Sequence, residues 1–114
     1  MGIWDTGATV SVITDKIVYD LNLQSTGMAE VHHAQGMAHV ETYMVNIGLP
    51  NNVGFAGMTV TKGVLSGADA LIGMDIIGQG DFAVSNFDGR TFFSFRVPST
   101  ERIDFTGKAP RSCR

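Results

Sequence analysis

Apolar residues in this chain fall in short alternating runs, with helical spacing confined to two brief stretches. Thr9 to Ile13 alternate, which puts Val10 and Val12 on one face of a strand and Thr9, Ser11 and Ile13 on the other. The period then changes. Thr14 is placed as an N-cap with Asp15 at the positive end of the dipole, and Ile17, Val18 and Leu21 share one helical face, so the pattern predicts a helix over 15–22. After a polar loop, residues 29–34 and 38–49 read as extended runs about a tight turn at Gln35-Gly36. In the second run Tyr43, Val45, Ile47 and Leu49 face one side, and Val40, Thr42, Met44 and Asn46 the other. Residues 53–61 predict a further strand that Gly54 and Gly57 allow to bend. Ala70-Leu71-Ile72 is a short apolar piece, and Gly73 to Ile77 read as a helical turn or two stopped by Gly78 and Gly80. The last hairpin pairs 82–87 with 90–97 across Asp88-Gly89, with Phe93, Phe95 and Val97 alternating inward. Residues 98–114 lack periodicity. Ile103 and Phe105 are their only apolar anchors, spaced for one strand face, so this segment is expected to dock near 101–106 and to be flexible beyond.

These elements predict an all-β domain with one or two short helices. At 114 residues the chain makes a single domain, too small for two substantial lobes. An apolar share of 44% against 17% charged residues excludes a disordered chain. The formal net charge of −3 gives no electrostatic reason for a nucleic-acid partner. Cys113 is alone, which excludes an intrachain disulfide and a cysteine metal cluster and makes a cytoplasmic setting the expectation. No apolar run reaches transmembrane length and no basic-then-apolar leader is present, so no membrane partner is expected.

The chemistry concentrates in Asp5-Thr6-Gly7-Ala8, between the apolar Ile3-Trp4 and the alternating run. This spacing sets a carboxylate at the exposed end of a strand, with a glycine beside it that permits close backbone contact. One such carboxylate is chemically weak, whereas two facing each other share a proton and activate a water. Asp-Thr-Gly occurs once and Asp-Ser-Gly not at all, so if the chemistry needs a pair the second copy must come from another chain, as in a twofold homodimer. His32, His33 and His39 raise a metal site, but neighbouring His32 and His33 point to opposite faces of a strand. At most two converge, short of the three or four ligands zinc takes, and no metal or other cofactor is expected.

Four features, in order, carry a resemblance to the retropepsin-like aspartic proteases: Trp4-Asp5-Thr6-Gly7-Ala8-Thr9, the hairpin around Gly36, Ala70-Leu71-Ile72-Gly73-Met74-Asp75, and the final Phe-rich hairpin. It spans residues 3 to about 97. The resemblance implies a closed acid-protease barrel that forms one half of a twofold dimer and hydrolyses extended peptides. Asp5 matches the catalytic aspartate. Thr6 matches the residue whose hydroxyl bonds across the dimer axis, and Gly7 and Ala8 match the residues beside the scissile bond. Ala34, Gln35, Gly36, Met37 and Ala38 match the flap that closes over substrate, and Leu71-Ile72-Gly73 the strand packed against the active-site loop. Asp75 matches a position in a structural helix. The family sets a strand ahead of the Asp-Thr-Gly loop. Only four residues precede Asp5 here, so that N-terminal strand is expected to be missing. The alternative on the same fold is a non-catalytic peptide-binding or dimerisation module.

Overall fold

The computed structural model describes residues 1–107 and is dominated by strands, with two short helices. In chain order the elements are β1 (Gly2–Trp4), β2 (Val12–Ile13), α1 (Asp15–Asp20), β3 (Gly27–His33), β4 (Gly36–Gly48), β5 (Gly54–Lys62), β6 (Ala70–Ile72), α2 (Met74–Ile77), β7 (Asp81–Phe87) and β8 (Arg90–Arg96). They divide into two compact units, Met1–Ile77 and a second that starts at Gly78. Cys113 and the charged residues Lys108, Arg111 and Arg114 lie outside the described residues, as does the expected flexible end of the chain.

In the first unit six strands form one curled half-barrel sheet in the order β1-β6-β2-β5-β4-β3. The residues ahead of Asp5 themselves supply a strand: β1 pairs in parallel with β6, Trp4 opposite Ile72. The core forms where Ile13, Tyr43 and Val60 are buried together, with Ile17, Val18, Leu23, Val45, Ile47, Met58 and Ala70 packed around them. Tyr43 and its i+2 neighbours therefore line the inner face, as the alternation in the sequence requires.

Each difference from the sequence reading has a specific cause. The strand expected from Thr9 begins only at Val12. Ser11 turns its backbone N–H and its hydroxyl to Asp75 (2.9 and 2.7 Å), which removes it from the strand ladder on that side. Ser11 and Ile13 nevertheless share the buried face, and Val10 is exposed on the other. Thr14 occupies the N-cap position of α1 in extended conformation, but its side chain makes no cap bond and donates instead to the Asp69 carbonyl at 3.0 Å. The helix stops at Asp20, short of the expected residue 22. Asn22 adopts a positive φ of 50°, and the Leu23 N–H reaches back to the Val18 carbonyl at 2.9 Å, a left-handed closure that swings Leu23 towards the core. The tight turn between β3 and β4 is Ala34-Gln35, one residue earlier than expected, because His33 pairs with Gly36.

β4 changes partner along its length. Its first half, Gly36 to Thr42, pairs with β3, and its second half, Thr42 to Gly48, pairs with β5. The hairpin beyond Thr42 is thus a two-stranded arm, with no third strand beside it among the described residues. At its base Thr26 and Thr42 share a hydroxyl–hydroxyl bond of 2.9 Å.

The second unit is the β7–β8 hairpin with the segment after it. Asp88 and Gly89 both take positive φ, 57° and 72°, the two-residue turn whose twist matches antiparallel strands. Register puts Phe82 opposite Phe95 and Val84 opposite Phe93, so these four share a face, and Phe82 stacks on Phe93 with ring centroids 5.9 Å apart. Phe93 nevertheless stays 54% exposed, so the inward alternation expected of it is only partly realised. Asp81 organises the following segment. It accepts hydrogen bonds from the Ser99 hydroxyl, from the Thr100 N–H at 2.9 Å and from Arg96 Nε at 2.8 Å. These donors hold its carboxyl well below the usual carboxylate range, the Ser99 hydroxyl most of all. Ile103 lines a groove with Ala83, Ser94 and Phe95, but Phe105 is 90% exposed and residues 101–107 form no strand. The two apolar residues expected to act alike do not: Asp104 folds back on Thr106 through bonds of 2.9 and 2.6 Å, which breaks the extended spacing.

Candidate active site

Asp5 sits where β1 ends. Its N–H donates to the Ile72 carbonyl at 2.8 Å, prolonging the β1–β6 pairing by one bond. The chain then turns sharply. Gly7 N–H donates to Asp5 Oδ1 at 2.8 Å, and Ala8 N–H to the Asp5 carbonyl at 3.3 Å. The carboxylate is therefore oriented by its own turn, half-buried beside an exposed Thr6 and Gly7. A Cβ at Gly7 would lie 3.2 Å from Asp5 Oδ1, a tight approach that explains the small residue there.

Beyond the turn, residues 5–11 arch over the end of β6, since β1 and β2 flank that strand on its two sides. The arch is fastened to the segment below it. Met74 N–H donates to the Ala8 carbonyl at 2.7 Å, and Gly73 N–H donates to Ser11 Oγ at 3.0 Å. Ser11 is 1% exposed and its hydroxyl proton goes to Asp75 Oδ1, while its N–H goes to Asp75 Oδ2. Gly73 has no room for a side chain: a Cβ would meet the Ala8 carbonyl oxygen at 2.9 Å and the Val10 carbonyl carbon and oxygen at 3.0 and 3.1 Å. The two motifs that stand about 65 residues apart in sequence are one structural piece, an acidic turn and the platform that carries it.

The predicted residues separate into two groups. Asp5, Thr6, Gly7 and Ala8 lie together in the turn after β1. Ala34, Gln35, Gly36, Met37 and Ala38 form the tip of the β3–β4 arm, and β3 is at the opposite edge of the sheet order from β1. Glu30 stands directly opposite His39 in the arm, an acidic neighbour the sequence reading did not place there. Among the described residues no three His, Cys, Asp or Glu side chains gather as ligands for a metal. No helix among them is long and apolar enough to cross a membrane.

Ser11 is the functional candidate that sequence reasoning missed. The available signal was a serine on the same strand face as Ile13, since a polar residue on a core side demands a buried partner. No family model, no curated protein and no solved structure matches the chain.

Proposed function

We propose that this chain is one half of an aspartic endopeptidase of the retropepsin-like kind, with its active site completed by the Asp5 of a second copy. The observation that carries the reading is the Asp5 turn: a half-buried carboxylate at a strand end, oriented by the Gly7 N–H, with Gly7 so close that a Cβ there would lie 3.2 Å from its Oδ1. In the proposed dimer the two turns meet at the twofold axis, where an isologous interface sets each Asp5 against its equivalent. Two carboxylates brought within hydrogen-bond range share one proton. The ionised Asp5 removes a proton from a water, whose oxygen attacks the peptide carbonyl carbon. The protonated partner's Asp5 hydrogen-bonds the carbonyl oxygen, and the proton held by the dyad passes to the amine as the C–N bond breaks.

The remaining features fit this chemistry. The two-stranded arm past Thr42, with Ala34, Gln35, Gly36, Met37 and Ala38 at its tip, has the build of a flap. A ribbon with no third strand is held by few contacts and bends readily. In this reading an extended peptide lies under it as an added strand, and the half-barrel sheet closes in the dimer. Peptide hydrolysis is favoured over the non-catalytic module because a binding module has no need of a carboxylate clamped at its own turn. Cleavage of a peptide library across pH 3–7 tests the reading, with Asp5→Asn as the control. Hydrolysis by the wild type that Asp5→Asn abolishes supports it, and cleavage that survives the substitution overturns it.

A further inference from the structure

We infer that Asp75 is a positioning residue that fixes the Asp5 carboxylate through Ser11 and Gly73; as regards peptide hydrolysis the inference rests on the function proposed above. The chain of bonds has one direction. A serine hydroxyl has a single proton to give and lone pairs to accept with. The Ser11 proton goes to Asp75 Oδ1 at 2.7 Å, so Ser11 Oγ is left to accept from Gly73 N–H at 3.0 Å. Asp75 Oδ2 takes the Ser11 N–H at 2.9 Å, so each carboxylate oxygen accepts a bond from the same residue of the arch. Gly73 lies against the Ala8 and Val10 backbone, the next residue donates to the Ala8 carbonyl at 2.7 Å, and the preceding Ile72 carbonyl takes the Asp5 N–H at 2.8 Å. Ile72 to Asp75 therefore touch the arch at Asp5, Ala8, Val10 and Ser11, and the acceptor that orders the set is the Asp75 carboxylate.

An ionised acceptor holds such donors more strongly than a neutral one. Removing it leaves the buried Ser11 hydroxyl free to rotate, and the Gly73 N–H loses an acceptor of fixed orientation. The arch then relaxes where it carries Asp5, while the β4–β5 ladder, which meets the arch through the Thr61 N–H bond to the Ser11 carbonyl (3.2 Å) but takes no bond from Asp75, stays as it is. Asp75→Asn keeps one acceptor oxygen for the Ser11 N–H and offers an N–H to Ser11 Oγ, so it preserves the shape of the contact without the charge.

The test compares wild type, Asp75→Ala and Asp75→Asn by amide exchange and by peptide cleavage. In Asp75→Ala, exchange at Asp5 and Met74 is expected to accelerate at least about tenfold while Tyr43 and Val60 hold. The Gly7 amide resonance, which reports its bond to Asp5 Oδ1, shifts in the same variant. Asp75→Asn restores most of both signals. In cleavage, kcat per folded molecule is expected to fall at least about tenfold in Asp75→Ala with little change in KM, and to recover in part in Asp75→Asn. Unchanged exchange at Asp5 and an unmoved Gly7 resonance overturn the inference, as does acceleration spread evenly through the β4–β5 ladder. Absence of cleavage by the wild type would sink the protease reading alone, because the exchange and resonance measurements do not depend on activity.

Discussion

Adding one methyl group at Gly73 tests the platform beneath Asp5. In Gly73→Ala the new Cβ falls 2.9 Å from the Ala8 carbonyl oxygen and 3.0 and 3.1 Å from the Val10 carbonyl carbon and oxygen. All three are backbone atoms of the arch, so no side-chain rotation relieves the contact and the arch itself must lift by a few tenths of an ångström. Overpacking of this kind costs about 1–3 kcal/mol. Lifting the arch also stretches the bonds from Met74 N–H to Ala8 and from Gly73 N–H to Ser11, each worth about 1 kcal/mol net. Against this, replacing glycine narrows the unfolded ensemble and returns about 0.4–1 kcal/mol. The expected loss is about 2–4 kcal/mol, or roughly 4–8 °C of melting temperature for each kcal/mol in a unit of this size. Gly48→Ala is the matched control. It makes the same chemical change in β4, where nothing lies within 4 Å of the added atom. Thermal unfolding followed by circular dichroism and by the fluorescence of Trp4, which sits opposite Ile72, reads both variants. A Gly73→Ala protein that melts within about 2 °C of Gly48→Ala would refute the close-packed platform.

Other consequences follow from burial and charge. Ile76 is fully buried in α2, so Ile76→Ala should cost about 2–5 kcal/mol in urea unfolding, and a loss below about 1 kcal/mol would place that side chain outside the core. The depressed pKa of Asp81 gives a pH signature in the second unit. Because the folded value lies below the unfolded one of about 3.9, the stabilisation is complete above that pH and is lost as pH falls through the folded value. The stability difference between wild type and Asp81→Asn should therefore be constant from about pH 6 to 8 and shrink below about pH 4, as read from exchange at the Thr100 amide. A difference that is the same at pH 3 and pH 7 would contradict the assignment of Ser99, Thr100 and Arg96 as its partners.

Much of the architecture was legible because strand alternation and turn chemistry are local. Tyr43, Val45 and Ile47 face the core as their period demands, and Asp88-Gly89 makes the turn its residue types favour. The errors fall where a side chain is claimed by a distant partner. Thr14 looks like a cap but is drawn to the Asp69 carbonyl, and Ser11 looks like a strand residue but is taken by Asp75, 64 positions away. Nothing within a ten-residue window names either partner. The same holds for the candidate site. The Asp5 turn is readable from Asp-Thr-Gly-Ala alone, whereas the platform joins Ser11 to Gly73 and Asp75 and exists only once β6 lies between β1 and β2. The exposed Phe105 marks a different limit, since an apolar residue in a segment with no ladder has no period to bind it to a face.

The central claim is that Asp5 acts only as a pair formed by two chains, and mixing tests it most directly. Wild-type protein is held at fixed concentration, an equal amount of Asp5→Asn protein is added and allowed to exchange subunits, and peptide cleavage is followed. With random pairing half of the wild-type chains enter mixed dimers, so the rate should fall to about half and continue to fall as more variant is added. A rate that stays constant at every ratio would contradict the account, because it would mean that each Asp5 works without the other.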